Sequence, residues 1–257
     1  MNPLVSIIIT NFNKEKYLED CLESCLNQTY KNFEICIADN DSTDGSLKII
    51  KRYNKKIRIF NIKRKYKTGP QNQLFCIQNL IKKTKGKIIC LLDSDDFFYK
   101  NKILEIAYTF NKGNIKFIFD EPCIRKQKKF IMRNKNSKHI WPTIFPTSSI
   151  SFLKKEYMSF NKLCFLKNKK FNNLAVDFRI QVYSMCIIKD YKILKKRLTN
   201  YRQNPDGLES NWKKYSLSWW KRRYQAHLYL KRLYQTINIK VPISIDFLLS
   251  KMLNHFK

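Results

Sequence analysis

Residues 86–96 read GKIICLLDSDD. The apolar run at 87–92 is continuous, which fits a strand buried on both faces. It breaks into Asp93-Ser94-Asp95-Asp96, three carboxylates within four residues. Like charges so close repel one another and contribute nothing to the stability of a turn. Such a cluster suits a hard divalent cation, which takes oxygen ligands and leaves positions open for phosphate oxygens. An acidic turn that only caps the next helix is the alternative.

Working outward, residues 5–10 (VSIIIT) and 33–38 (FEICIA) are two more buried-strand runs, and 57–62 alternates as a strand. Residues 14–27 carry Leu18, Cys21, Leu22, Cys25 and Leu26 on one helical side, and helical spacing returns at 46–53, 74–84 and 102–110. The alternation predicts an α/β fold around a mostly parallel central sheet flanked by helices. Ligands of such sheets bind beyond the carboxyl ends of the strands. Three polar clusters, 10–13, 39–44 and 93–96, all fall there.

The second half is less regular. A strand is expected at 115–119, a basic polar loop at 126–138, and an ordered loop entering a strand at 141–152 (WPTIFPTSSISF). An aromatic, basic helix spans 213–234, Pro242 breaks it, and 245–256 forms a short last helix, giving a C-terminal helical extension. No internal repeat is present.

A chain of 257 residues can bury one sizeable core with room for an appendage. No apolar run reaches the roughly 20 residues that span a bilayer, and Met1-Asn2-Pro3 brings no basic leader, so a cytoplasmic chain is expected. The eight cysteines form no CxxC pair and several sit within apolar runs, as buried free thiols would in a reducing compartment. His139, His227 and His255 lie far from any cysteine cluster, which disfavours zinc. The net charge of +31 favours anionic partners, or simply reflects an AT-biased coding sequence. Lysine and arginine are spread along the whole chain while the strand-end clusters are acidic, so nucleic acid is not an expected partner.

One residue outside the clusters stands out. Asp177 lies amid apolar neighbours in LAVDFRI (174–180), where a helix opens. A partly desolvated carboxylate there suits a general base, or else it favours the helix dipole.

Residues 5–46, VSIIITNFNKEKYLEDCLESCLNQTYKNFEICIADNDSTDGS, followed in order by GKIICLLDSDD, resemble the family 2 glycosyltransferases of the GT-A fold. The resemblance is strongest up to residue 110 and weaker up to residue 225. It implies that 1–110 forms the nucleotide-sugar-binding half of a GT-A domain, 111–200 its acceptor-binding half, and 201–257 a helical region. Thr10 and Phe12 would contact the nucleotide base, Phe12 replacing a common tyrosine; Asp39 would accept a hydrogen bond from uracil. Asp93 and Asp95 would serve ribose and metal (Mn2+ or Mg2+), with Asp95 the direct ligand and Asp96 able to exchange roles with it. Asp177 would be the catalytic base, Val176 standing where the family can carry a second acid. Ser148 and Ser149 would line the acceptor side or form a plain strand edge, with Trp141 a sugar-stacking face or a packed core tryptophan.

Two departures accompany the resemblance. No histidine stands in Tyr201-Arg202-Gln203-Asn204, so either the metal lacks that ligand or Asn204 or Asp206 serves it indirectly. The stretch 69–86 lacks an arginine expected near the donor, for which Lys65, Lys67 or the Arg202 region would substitute. The implied activity is inverting transfer from a UDP-sugar to a glycan or lipid-linked acceptor in bacterial surface polysaccharide synthesis, at the inner face of the membrane. Trp219-Trp220-Lys221-Arg222-Arg223 would lie against anionic headgroups or serve as a packing helix. A nucleotide-sugar-binding homologue without turnover is the alternative.

Overall fold

A computed structural model describes residues 2–124, 141–204, 207 and 212–254. The basic loop expected at 126–138, His139, Asp206 and His255 lie outside the described residues.

The first half winds as the hydrophobic runs require. Strand β1 (Val5–Asn11) leads to α1 (Glu15–Leu26), β2 (Phe33–Asp39), α2 (Ser46–Arg52), β3 (Arg58–Asn61), α3 (Gly69–Lys83) and β4 (Ile88–Asp93). These strands pair in parallel in the order β3-β2-β1-β4. Helix α3 begins a turn earlier than its apolar pattern suggests, because Pro70 can occupy the first turn, where no backbone N–H is needed. Gly86 does more than punctuate. A Cβ there would sit 2.5 Å from the Ser6 hydroxyl and 2.8 Å from the Leu4 carbonyl, so only glycine lets β4 enter beside β1.

Beyond β4 the sheet becomes mixed. Strand β5 (Phe97–Phe98), α4 (Lys102–Lys112), β6 (Phe117–Ile124), β7 (Ile150–Leu153), α5 (Tyr157–Leu163), α6 (Val176–Gln181) and β8 (Tyr191–Tyr201) complete it, in the order β4-β7-β6-β8-β5. Strand β7 runs antiparallel to both β4 and β6, while β6 and β8 are parallel with a bulge near Glu121. The sequence pattern does not announce β5, α5 or β8.

The sheet separates two apolar layers. In β1, Ile7 and Ile9 pack with α1, α2 and α4, while Ile8 joins α3, α5 and α6 on the opposite face, as strand alternation demands. Helices α7 (Leu217–Gln235) and α8 (Ile245–Leu253) close the chain, each capped by a serine hydroxyl, Ser216 or Ser244. Tyr229, Leu230 and Leu233 of α7 dock on Phe178 and Val182 after the α6 start. All eight cysteines are free thiols and seven are buried.

Candidate active site

The carboxyl ends of β1 and β4 open onto a cleft of about 690 Å³. Thr10, Phe12, Asp93, Asp95 and Asp177 all line it. Asp177 comes from the opposite side of the sheet sequence, where Ala175 ends an extended stretch and α6 begins. Its carboxylate accepts from the Phe178 N–H at 2.5 Å. The fold thus brings a strand-end acid turn and a helix-start acid to one wall.

Phe12 is 40% exposed, and the Arg64 guanidinium lies 3.9 Å from its ring centre. This stacked pair, next to Asn40 in the lining, forms a flat cationic platform. Arg64 escaped the sequence reading, which looked to Lys65 and Lys67; its place just past β3 was the available signal. The Arg64 N–H is tied to the Asp41 carboxylate at 2.6 Å, so the 39–44 cluster fixes this arm. Gln73 was also missed. It donates to Asp93 Oδ1 at 2.7 Å from α3, in the stretch that lacks an arginine.

The 39–44 cluster is chiefly a lacing device. Asp39 is buried, accepting from Asn11 Nδ2 at 2.8 Å and from the Ser42 N–H at 3.0 Å, and it is not in the cleft lining. Asp44 accepts from the Glu15 and Ser46 N–H groups. Asn13 and Asp41 take up left-handed backbone (φ 51° and 59°), which these short polar side chains tolerate, and Asn13 bonds across to Thr43. These contacts make the loops after β1 and β2 one rigid rim.

In the acid turn the three carboxylates face different ways. Asp95 stays open to the cleft, held by Lys14 at 3.1 Å and by Asn204 Nδ2 at 3.3 Å. Burial, with the negative charges of Asp95 and Asp177 nearby, pushes Asp93 up to about 8. Asp96 departs from its expected exchange with Asp95 as a ligand. It is fully buried, one oxygen accepting from the Ser148 hydroxyl at 2.5 Å and the other from the Arg202 N–H at 2.7 Å. Burial and its acidic neighbours raise its carboxyl well above the ordinary range.

Ser148 and Ser149 do not face an acceptor. Both are fully buried, and the cleft is lined by Pro146 and Thr147 instead. The Ser148 hydroxyl also accepts from the Asp93 N–H at 3.0 Å, so it clasps the acid turn from beneath. Its carbonyl is held by the Lys102 ammonium at 2.7 Å, which also bonds Asp120 at 2.5 Å and Thr199 at 2.6 Å. Lys102, Asp120 and Thr199 are fully buried. Trp141 likewise stands outside the cleft lining, packed edge-on to His227 at 4.6 Å and under the Arg223 guanidinium at 4.3 Å.

The far rim carries Arg202, Asn204, Trp212 and Arg222, with Arg222 stacked on Trp212 at 4.3 Å. The Arg202 Nη1 is buried and makes no hydrogen bond among the described residues, while its Nη2 bonds Asp20 at 2.6 Å. Among the described residues, no three histidine, cysteine or acidic side chains converge as a ready-made metal cage. The oxygens of Asp93 and Asp95 nonetheless suit a hard cation, because burial first and the neighbouring negative charges second are what lift Asp93, and a cation would offset both.

Comparisons with known proteins bear on the family and the fold. An uncharacterized glycosyltransferase of Methanocaldococcus jannaschii is 31% identical over 230 residues, 84% of this chain and 76% of its own. The UDP-Glc:alpha-D-GlcNAc-diphosphoundecaprenol beta-1,3-glucosyltransferase WfaP of Escherichia coli is 37% identical over 123 residues, 48% of this chain and 47% of that protein. An uncharacterized glycosyltransferase of Rickettsia felis is 43% identical over 125 residues, 48% of this chain; the chain covers only 19% of its length. Among solved structures, S. aureus TarS 1-349 in complex with UDP-GlcNAc matches with a TM-score of 0.65 at 15% identity, over 97% of this chain and 70% of that one. The mannosyltransferase PcManGT from Pyrobaculum calidifontis, in complex with GDP-Man and Mn2+, matches with a TM-score of 0.57 at 15% identity, over 98% of this chain and 69% of that one. At such identities the structural likeness speaks for the fold, which is GT-A. The glycosyl transferase family 2 profile matches residues 6–174, most of the strand-end architecture described above, and the chain belongs to that family.

Proposed function

We propose that this protein transfers a sugar, with inversion, from a nucleoside diphosphate sugar of the UDP type to a hydroxyl of a glycan or lipid-linked acceptor in surface polysaccharide synthesis. The observation that carries the reading is one cleft lined at once by Phe12 and Arg64, by Asp93 and Asp95, and by Asp177. The named partners of its likenesses, UDP-GlcNAc for TarS and a diphosphoundecaprenol acceptor for WfaP, support the same classes here.

The roles follow from chemistry. The Phe12–Arg64 platform stacks on the base. Arg222 and Arg202, both in the cleft lining, supply the positive charge that a diphosphate needs. Asp95, with Asp93 beside it, would hold Mn2+ or Mg2+. When bound, the cation neutralises charge building on the departing nucleoside diphosphate. Asp177 takes the proton of the acceptor hydroxyl as its oxygen attacks the anomeric carbon; the sugar–phosphate bond breaks and the diphosphate leaves with the electron pair. A lipid-linked acceptor would bring this work to a membrane surface. No helix among the described residues is long and apolar enough to cross one.

Thermal stabilisation by a panel of nucleotide sugars, with Mn2+ or Mg2+, tests the donor without knowledge of the acceptor. A selective shift with UDP-sugars is expected; no shift with any nucleotide sugar refutes the reading. The absence of a histidine in 201–204 keeps one other reading open, donor binding without turnover. Donor binding with no UDP release in the presence of lipid-linked acceptors would favour that one.

A further inference from the structure

Helix α8 is mounted with its apolar side outward. Ile245, Leu248, Leu249 and Met252 are 78, 53, 40 and 55% exposed. Their spacing (i, i+3, i+4, i+7) draws one stripe along the helix, and Ile243, 74% exposed, extends it at the N-terminal end. The opposite side is what ties α8 down. Asp246 receives Arg223 Nε at 2.8 Å and sits 2.8 Å from His227 Nε2, Phe247 packs against the Tyr224 and His227 rings, and Ser250 is buried. The capping Ser244 hydroxyl fixes where the helix starts. This orientation is therefore specified by polar contacts, not left over from a poorly packed end.

The segment first expected to meet a membrane is built differently. Trp219 and Trp220 are half-buried and pack edge-on against each other at 4.8 Å. Arg223 is committed to Trp141 and Asp246. The longer run of exposed apolar side chains at helical spacing lies on α8.

Charge selects what covers it. Residues 212–254 hold nine lysines and arginines against one acid, Asp246, which is already paired. Lys251, within α8, and Lys240, three residues before Ile243, are both exposed. Closing the stripe with a second copy would press together two chains of net charge +31 each. An apolar stripe flanked by cations instead matches an anionic lipid surface, where the side chains enter the acyl boundary and the ammonium groups meet phosphates. We infer that α8 lies in the interface of an anionic membrane and anchors the protein there peripherally. The inference deepens the lipid-linked acceptor reading above, and it stands or falls separately from donor binding.

Vesicle co-sedimentation of the full chain tests it, with phosphatidylcholine vesicles and with vesicles that also contain phosphatidylglycerol. The wild type should pellet with the anionic vesicles and release as salt is raised. Leu248→Gln with Met252→Gln removes apolar area without touching charge, and should weaken binding by about tenfold or more. The pair sits on exposed positions, so its melting temperature and its stabilisation by a UDP-sugar should match the wild type. Failure of the wild type to bind anionic vesicles overturns the proposal, as does equal binding by the double variant. A dimer in light scattering that the double variant abolishes, with vesicle binding unchanged, would assign the stripe to a second copy and overturn it as well.

Discussion

The two halves of the sheet do different work. The parallel half, β3-β2-β1-β4, displays charge at its strand ends: Asp93 and Asp95, with Lys14 and Arg64 from the adjoining loops. The mixed half, β7-β6-β8, contributes little to the rim from its strands but supplies the holders. Ser148 precedes β7, Asp120 lies in β6, and Thr199 lies in β8. They grip the acid turn from inside through Lys102 and the Ser148 hydroxyl. A set of like charges tolerates its crowding because a buried polar frame fixes where each one points.

The sharpest way to break this division is to alter the displayed groups alone. Asp177→Asn should lower sugar transfer by about 10²–10⁴-fold while leaving UDP-sugar binding intact, measured as UDP release beside a thermal-shift titration. Asp95→Ala should lose transfer to a similar degree and also lose the metal dependence of donor binding. If either variant melted several degrees lower than the wild type, display and support would not be separable.

Next come the holders. Lys102→Met leaves Asp120 buried and uncompensated, which should cost about 3–5 kcal/mol in urea unfolding. Adding Asp120→Leu should restore most of that stability, because both charges then disappear together. Ser148→Ala removes a smaller piece, about 1–3 kcal/mol, since the Asp93 N–H and Asp96 each lose one buried partner. It should also weaken donor affinity, although its side chain never reaches the cleft. Full donor affinity in Ser148→Ala would mean the turn needs no clasp.

A pH slope probes the displayed carboxylates without any substitution. Unfolded, Asp93 loses its proton at an ordinary carboxylate value of 3.8; folded, it holds it up to about 8. Between these limits the folded chain carries the extra proton, so stability falls as pH rises through that window. Melting temperatures in EDTA should therefore decline from pH 5 to pH 8. Asp93→Asn should flatten the decline in part, the remainder coming from Asp96, which is shifted the same way. Mn2+ should flatten it for the wild type by favouring the ionised forms.

The sequence made one half legible and hid most of the other. Strands β1, β2 and β4 are buried on both faces over most of their length, so apart from Ser6 and Glu34 near their starts their residues are mainly apolar, and the polar break at each end marks the ligand side. Strand β8 buries only Leu194, Leu198 and Thr199 and carries lysines between them, so it shows no clean period. The holders were invisible for a further reason. Lys102 reads as an ordinary first-turn lysine, and its partners lie 18, 46 and 97 residues away. Nothing local distinguishes a lysine that turns inward from one that stays in water. The same limit applied to Ser148 and Ser149, where the residue type was noticed but its direction was not.

Arg179 bears on the proposed base. It lies two residues past Asp177, wholly buried, and among the described residues its guanidinium pairs with no carboxylate; it bonds the carbonyls of Leu174, Cys164 and Phe171. Its plane also rests 5.4 Å from the Tyr229 ring centre of α7. A single side chain thus nails the irregular stretch before α6 to the helix that carries Asp177. The carboxylate is mounted on an anvil rather than on an arm, so acceptors of different size would have to adjust their own approach to it.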